Sequence, residues 1–211
     1  MSISRDDLVN WVKNSVEILH ENSEYLTELD AAIGDGDHGI NMDRGFKAVL
    51  AKLPDFEDKD IGTILKTVGM TLLSTVGGAG GPLYGTFYMR AGMAVAGKME
   101  LSLEDWTAAL DEAVKGVVMR GKAELGDKTM VDALKPAVDA LYKCIDEKKP
   151  LEESLQISAD AAKKGMVDTI PLVARKGRAS YLGERSAGHQ DPGATSSYLL
   201  LKTAADTWHN G

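Results

Sequence analysis

The chain contains one cysteine, Cys144, in 211 residues, so an internal disulfide is excluded. Its surroundings, YKCID, read as helix, and with no histidine beside it the thiol is expected to be a small buried hydrophobe in a reducing compartment. No apolar run approaches the roughly eighteen residues of a membrane span, and Met1 is followed by a polar, charged segment instead of a secretory leader. These absences predict a cytoplasmic protein with no membrane partner. Positive charge is scarce: 24 Lys and Arg stand against 32 Asp and Glu, a net charge of -8. That balance disfavours nucleic acid as a direct partner, since duplex binding rests on neutralising phosphates with cations. Alternating apolar and polar runs bounded by hairpin turns are missing too, and no shift in composition divides the chain. The expectation is one all-α domain over residues 1–211.

Apolar residues recur instead at spacings of three and four, and the punctuation between them predicts eight helices. The first runs from a cap at Ser4, with Asp7 three residues on, to the neighbourhood of Leu29. The second spans roughly 40–52 and stops at Pro54, and the third carries Ile61, Leu65, Val68, Leu72 and Val76 on one face. Pro82 opens the fourth. SLED, residues 102–105, is a capping box for a fifth that closes near Gly121, and Asp127 is expected to cap the sixth. A seventh begins near Leu151 and must end or kink at Pro171; the eighth begins at Asp191 and Pro192. Between these two lies a long loop, residues 174–190, of a length that is usually functional or mobile.

Chemistry concentrates in AAIGDGDHGINMDRGF, residues 31–46, with Asp30 just before it. Asp30, Asp35 and Asp37 fall between two predicted helices, where Gly34, Gly36 and Gly39 free the backbone to turn carboxylates inward. Two like charges about 5 Å apart repel by roughly 3 kcal/mol at an effective dielectric near 20, so three converging acids call for a cation. All-oxygen ligation with few protein donors suits Mg2+, and the lack of Cys and paired His argues against zinc. A calcium loop starting at Asp35 fails, because Ile40 stands where glycine is required and Phe46 where glutamate is required. The alternative is that these acids are only caps and turn formers, which is the favoured reading of Asp43 and of the acids at 55–60.

A carboxylate-bound cation often serves a phosphate, and two glycine-bearing helix starts offer anion sites: GGAGGP at 77–82 and HQDPGATS at 189–196. Arg175, Lys176, Arg178 and Arg185 precede the second, a local exception to the acidic balance; a solvated basic loop is the alternative. Gly92–Lys98 and Gly116–Lys122 fit the spacing of a P-loop but lack its hydroxyl and sit in helical context, so both are rejected. His38 and His189 are read as loop residues making ordinary hydrogen bonds, and neither is assigned as a general base.

Four ordered motifs, LDAAIGDGDHGINMDRGF, GMTLLSTVGGAGGPLYGT, RGKAELGDKTMVDAL and RKGRASYLGERSAGHQDPGATS, together make the chain resemble the L subunit of dihydroxyacetone kinase (DhaL) over essentially its whole length. The resemblance implies an eight-helix antiparallel barrel with ADP or ATP at one end, held through two Mg2+ ions by Asp30, Asp35 and Asp37. It also implies that His38, Gly39, Ile40, Asn41, Ala79, Gly80, Gly121 and Met130 line the nucleotide, as do Arg178, Asp191, Pro192 and Gly193. Relatives often carry Ser where Gly80 stands, so a hydroxyl contact to phosphate is absent here, although the glycine N–H can still donate.

By the same resemblance, phosphoryl transfer is positioning and charge neutralisation, with Arg178 as the catalytic cation. The ketose, dihydroxyacetone, sits on a separate K subunit. The donor is a phosphohistidine protein, the M subunit, if ADP stays bound as a coenzyme and is recharged in place; in the other type of relative, ATP exchanges. The complete loop at 174–190 favours the first type and is expected to cover the nucleotide and slow its escape. A transcriptional regulator is a further partner that the resemblance allows. Three rivals stay open: a kinase subunit for another acceptor, a non-catalytic ADP sensor, and a phosphohydrolase using the same carboxylates with an activated water.

Overall fold

The computed structural model describes residues 2–208. Both capping boxes form. Ser4 and Asp7 exchange hydrogen bonds at the head of α1 (Arg5–Glu21), and Ser102 and Asp105 do so at α6 (Leu103–Gly121). Among the described residues the remaining helices are α2 (Ser23–Ile33), α3 (His38–Leu50), α4 (Ile61–Thr75), α5 (Gly80–Ala94), α7 (Val131–Asp146), α8 (Leu151–Asp168) and α9 (Pro192–Trp208). Two-residue strands β1 (Ile3–Ser4) and β2 (Glu100–Leu101) pair antiparallel at one end.

Eight of these helices close into a ring in the order α1, α3, α4, α5, α6, α7, α8, α9, with α9 packed back on α1. Ring neighbours alternate in direction, through connections that range from the four residues between α4 and α5 to the long loop between α8 and α9. The all-α class and the barrel expected from the sequence are present, with one addition. The first predicted helix is two: Asn22 ends α1, its side-chain amide donating to the Ile18 carbonyl (2.8 Å), and α2 leaves the ring to lie beside α3 and α9. Asp30 therefore sits in the last turn of a helix, not in the loop.

Two further expectations change. Asp127 does not cap α7; its carboxylate accepts from Glu124 N in its own turn, while Asp132 collects the amides of Gly126 (2.6 Å) and Thr129 (2.7 Å). The long loop contains a run of tight turns, Arg178–Ser186, broken at Gly183. The helix expected to meet Pro171 ends at Asp168.

The ring is filled by apolar side chains around three tryptophans. Trp106 stands edge-on to Trp11 (5.5 Å between centroids) and to Trp208 (4.9 Å). Each flanking indole N–H is satisfied, Trp11 by the Leu200 carbonyl and Trp208 by the Asp7 carbonyl, both at 2.9 Å. Cys144 is buried in α7. Pro136, inside α7, has no N–H to offer the Asp132 carbonyl, and α8 uses the opening: a Cβ on Gly165 would stand 1.9 Å from that oxygen.

Candidate functional site

The alternation of the ring brings the N-termini of α3, α5, α7 and α9 to one end, and all four border a cavity of about 170 Å³. Unpaired N–H groups and aligned peptide dipoles make such ends favourable to an anion.

On the cavity's edge one oxygen each from Asp30, Asp35 and Asp37 lies within 4.8 Å of the others. The local sequence builds this arrangement. Asp30 projects from the last turn of α2 and its Oδ2 accepts from the amides of Asp37 (2.9 Å) and His38 (3.2 Å), so it holds the head of α3 and leaves Oδ1 free. A Cβ on Gly34 would stand 2.1 Å from that Oδ1, and Gly36 takes φ +71, so the two glycines are what let the chain fold around the carboxylate. Arg178 donates from Nε to Asp35 Oδ2 at 2.9 Å, bringing the long loop across the opening. Three carboxylates with oxygens this close fit a divalent cation: octahedral ligands at about 2.1 Å stand about 3 to 4.2 Å apart, a small contraction from the present spacing.

Deeper in, His38 Nε2 meets Ser196 Oγ (2.9 Å), which also bonds Tyr84 OH (2.7 Å). Burial pulls the His38 imidazole below its ordinary pKa, while the carboxylates of Asp30 and Asp37 push the other way. Burial raises the Tyr84 phenol to about 12. Asp191 caps α9, accepting from Ala194 N at 2.6 Å. Its carboxyl is pushed up to about 7, first by burial, with Asp132 and Asp30 adding to the rise and Lys128 opposing it. Burial lowers the Lys128 ammonium, against the pull of Asp191 and Asp132.

The cavity continues past Ala79, Leu83, Thr129 and Met130 into a chamber of about 430 Å³, walled chiefly by Pro82, Val117, Ala123 and Val131. The whole is bipartite, with acids and amides at one end and apolar walls at the other.

Most residues singled out in the sequence meet here. Asp30, Asp35, Asp37, His38, Asn41, Ala79, Gly80, Met130, Arg178, Asp191, Pro192 and Gly193 line the first cavity, and Gly121 lines the chamber. Gly39 and Ile40 line neither: Gly39 is buried against the Ser23 carbonyl of α2, and the Ile40 side chain is 56% exposed. Both remain in the first turn of α3, where main-chain N–H groups lack helical acceptors. Sequence reasoning missed Lys128, Thr129 and Tyr84 on the wall, while Lys176 of the basic stretch reaches it as well. Lys128 and Thr129 lie within a stretch, GDKTM, that was already notable, and that was their only signal.

Carboxylates for a cation, helix N-termini for an anion and an apolar chamber for a flat group match one class, the helical domains that hold a phosphate-bearing ligand through a divalent metal. The DAK2 domain family model matches residues 32–206, most of the chain. A relative from Escherichia coli (strain K12), the PEP-dependent dihydroxyacetone kinase ADP-binding subunit DhaL, is 50% identical over 97% of this chain and 98% of its own length. Two solved structures of the dihydroxyacetone kinase of C. freundii superpose at 26% identity over 94% of this chain. The native form gives a TM-score of 0.72 and the complex with AMP-PNP and Mg2+ gives 0.67. This chain spans about a third of those longer chains, 34% and 33%. The protein thus belongs to the DAK2-domain family, among the L subunits of dihydroxyacetone kinases.

Proposed function

We propose that this chain is the nucleotide-bearing subunit of a cytoplasmic, phosphoenolpyruvate-dependent dihydroxyacetone kinase. It holds ADP or ATP, passes a phosphoryl group to dihydroxyacetone on a separate K subunit, and has its ADP recharged in place by a phosphohistidine M protein. The observation that carries this reading is the bipartite cavity, in which three convergent carboxylates adjoin an apolar chamber. Its support from relatives is the ADP-binding role in the name of the E. coli subunit and the AMP-PNP and Mg2+ in the C. freundii complex.

In this reading the base enters the chamber beside Gly121 and Met130, and the phosphates face the helix starts at 38–41, 79–80 and 191–193. Gly39 and Ile40 serve through their N–H groups, which fits the outward-facing side chain of Ile40. Asp30, Asp35 and Asp37 would hold two Mg2+ ions. When bound, these supply neutralisation of phosphate oxygens and a template for in-line transfer. Arg178, held at the mouth of the site by Asp35, would offset the developing charge on the transferred group. Asn41 is pre-set for an anion: Arg44 donates to its Oδ1 at 2.7 Å, leaving the amide Nδ2 to face a ligand.

The first test is to desalt the purified protein exhaustively in Mg2+ buffer, denature it and identify the released nucleotide. Near-stoichiometric ADP supports a coenzyme recharged in place. Empty protein that binds ATP rapidly and reversibly points to the exchanging type, and no nucleotide binding at all overturns the reading. In a reconstituted system Asp30→Asn should abolish transfer to the ketose; a pure ADP sensor would have no transfer to lose, and sustained phosphate release without partners would mark a hydrolase.

A further inference from the structure

Lys128 is unusual three times over. It is 1% exposed, it takes φ +63 although it is not glycine, and its ammonium donates to three main-chain carbonyls. These are Thr169 O at 2.7 Å, Ile170 O at 3.4 Å and His189 O. A backbone held in the left-handed region by its surroundings is a common mark of a functional position. An ammonium has three protons, and all three are spent on carbonyls, so none remains for a phosphate. Proximity to the cavity therefore does not make Lys128 a ligand contact. What it touches gives it another role.

Thr169 and Ile170 follow directly on α8, where carbonyls lack helical donors and the helix dipole favours a cation. His189 lies on the far side of the excursion 171–188, two residues before Asp191, the cap of α9. The same neck is drawn together by Gly188 N to Ile170 O at 2.7 Å, and the outgoing arm is tied to the stretch carrying Lys128 by Arg175 N to Asp127 O at 3.1 Å. From this neck the excursion reaches over the cavity and delivers Arg178 to Asp35.

We infer that Lys128 is a positioning residue: its ammonium closes the neck of the 171–188 excursion and so sets where Arg178 stands over the bound nucleotide. The inference rests on the nucleotide-bearing reading above for its consequence, but the neck itself is tested without any ligand. Lys128→Met removes three donors while keeping much of the volume. The excursion carries trypsin sites at Arg175, Lys176, Arg178 and Arg185, so cleavage there, resolved by mass spectrometry, reports its opening. Loss of charged hydrogen bonds of this kind predicts cleavage faster by roughly tenfold or more in the excursion, with cleavage at Lys143 and Lys148 unchanged.

The second readout is the dissociation rate of a fluorescent ADP analogue in Mg2+. Lys128→Met and Arg178→Ala should each raise it, and the double variant should barely exceed the larger single effect, because one acts through the other. A merely structural role would not produce that non-additivity. Unchanged cleavage in the excursion, or effects that multiply in the double variant, would overturn the inference. Should the wild type bind no nucleotide, the functional reading fails while the cleavage result still decides the neck. If Lys128→Met does not fold, Gly188→Ala opens the neck from its other side: at φ +88, with no atom within 4 Å of the added Cβ, it strains the backbone without a clash. Faster excursion cleavage in that variant is expected, and unchanged cleavage overturns the inference equally.

Discussion

Asp191→Asn should make the protein more stable at pH 8 and progressively less so as the pH falls. The native carboxyl titrates at about 7 and the unfolded one at 3.8. Between those values the folded chain binds a proton that the unfolded chain has released, so native stability falls as pH rises through the window. The penalty is absent below the unfolded value and complete above the folded one. At about 1.4 kcal/mol per pH unit its full size is about 4 kcal/mol, of which somewhat under half is already felt at pH 5. The cited value already includes the attraction of Lys128 and the repulsion of Asp132 and Asp30. Asparagine keeps the shape and the oxygen that accepts from Ala194 N, and it does not titrate. The advantage of the variant should thus grow by about 2–3 kcal/mol from pH 5 to pH 8, which for a chain of this size is about 5 to 10 °C in Tm. The assay is thermal unfolding of both proteins in metal-free, nucleotide-free buffer at half-unit steps of pH. A difference in Tm that stays flat across that range would refute the reasoning, since it would mean that Asp191 carries its charge at no unusual cost.

In metal-free buffer, Asp30→Ala should cost about 1–2 kcal/mol because it removes the acceptor for two amides at the head of α3. Asp35→Ala should stay within about 0.5 kcal/mol, since its one partner is an exposed arginine, and denaturant titrations of the two variants check the contrast. Neither variant should gain Tm on adding Mg2+ and nucleotide, where the wild type does. Gly165→Ala, which would place Cβ 1.9 Å from the Asp132 carbonyl, should lose about 3 kcal/mol in urea and push α7 from α8. Trp208→Phe removes the donor to the Asp7 carbonyl and part of the edge-on stack, for a loss of about 2 kcal/mol and a weakened near-ultraviolet dichroism signal.

What could be read in the sequence was local. Ser4 with Asp7 and Ser102 with Asp105 are capping boxes whose partners lie three residues apart, so the residues themselves carry the signal. The acid loop was legible because so many carboxylates and glycines close together have few other uses. The break at Asn22 was not, since apolar spacing runs on from Leu19 to Leu26 and only the packing of α2 outside the ring separates the two helices. Asp127 reads as a cap on paper, but the left-handed turn at Lys128 parts it from α7 and its carboxylate closes its own turn instead. The apolar chamber had no sequence signal, because Pro82, Val117, Ala123 and Val131 come from separated stretches and look like ordinary core. Lys128 was hidden by its type, as lysine is among the residues least often buried.

The pairing of β1 with β2 and the bond from Trp208 to the Asp7 carbonyl bring the two ends of the described chain side by side, at the pole opposite the cavity. Along α9, seventeen residues separate that pole from Pro192, a distance of about 25 Å. A protein tethered to either end therefore starts a full barrel length from the nucleotide, and a flexible tether needs roughly twenty residues to let it reach round. The face over the acid loop is left clear of both Ser2 and Trp208, the limits of the described residues.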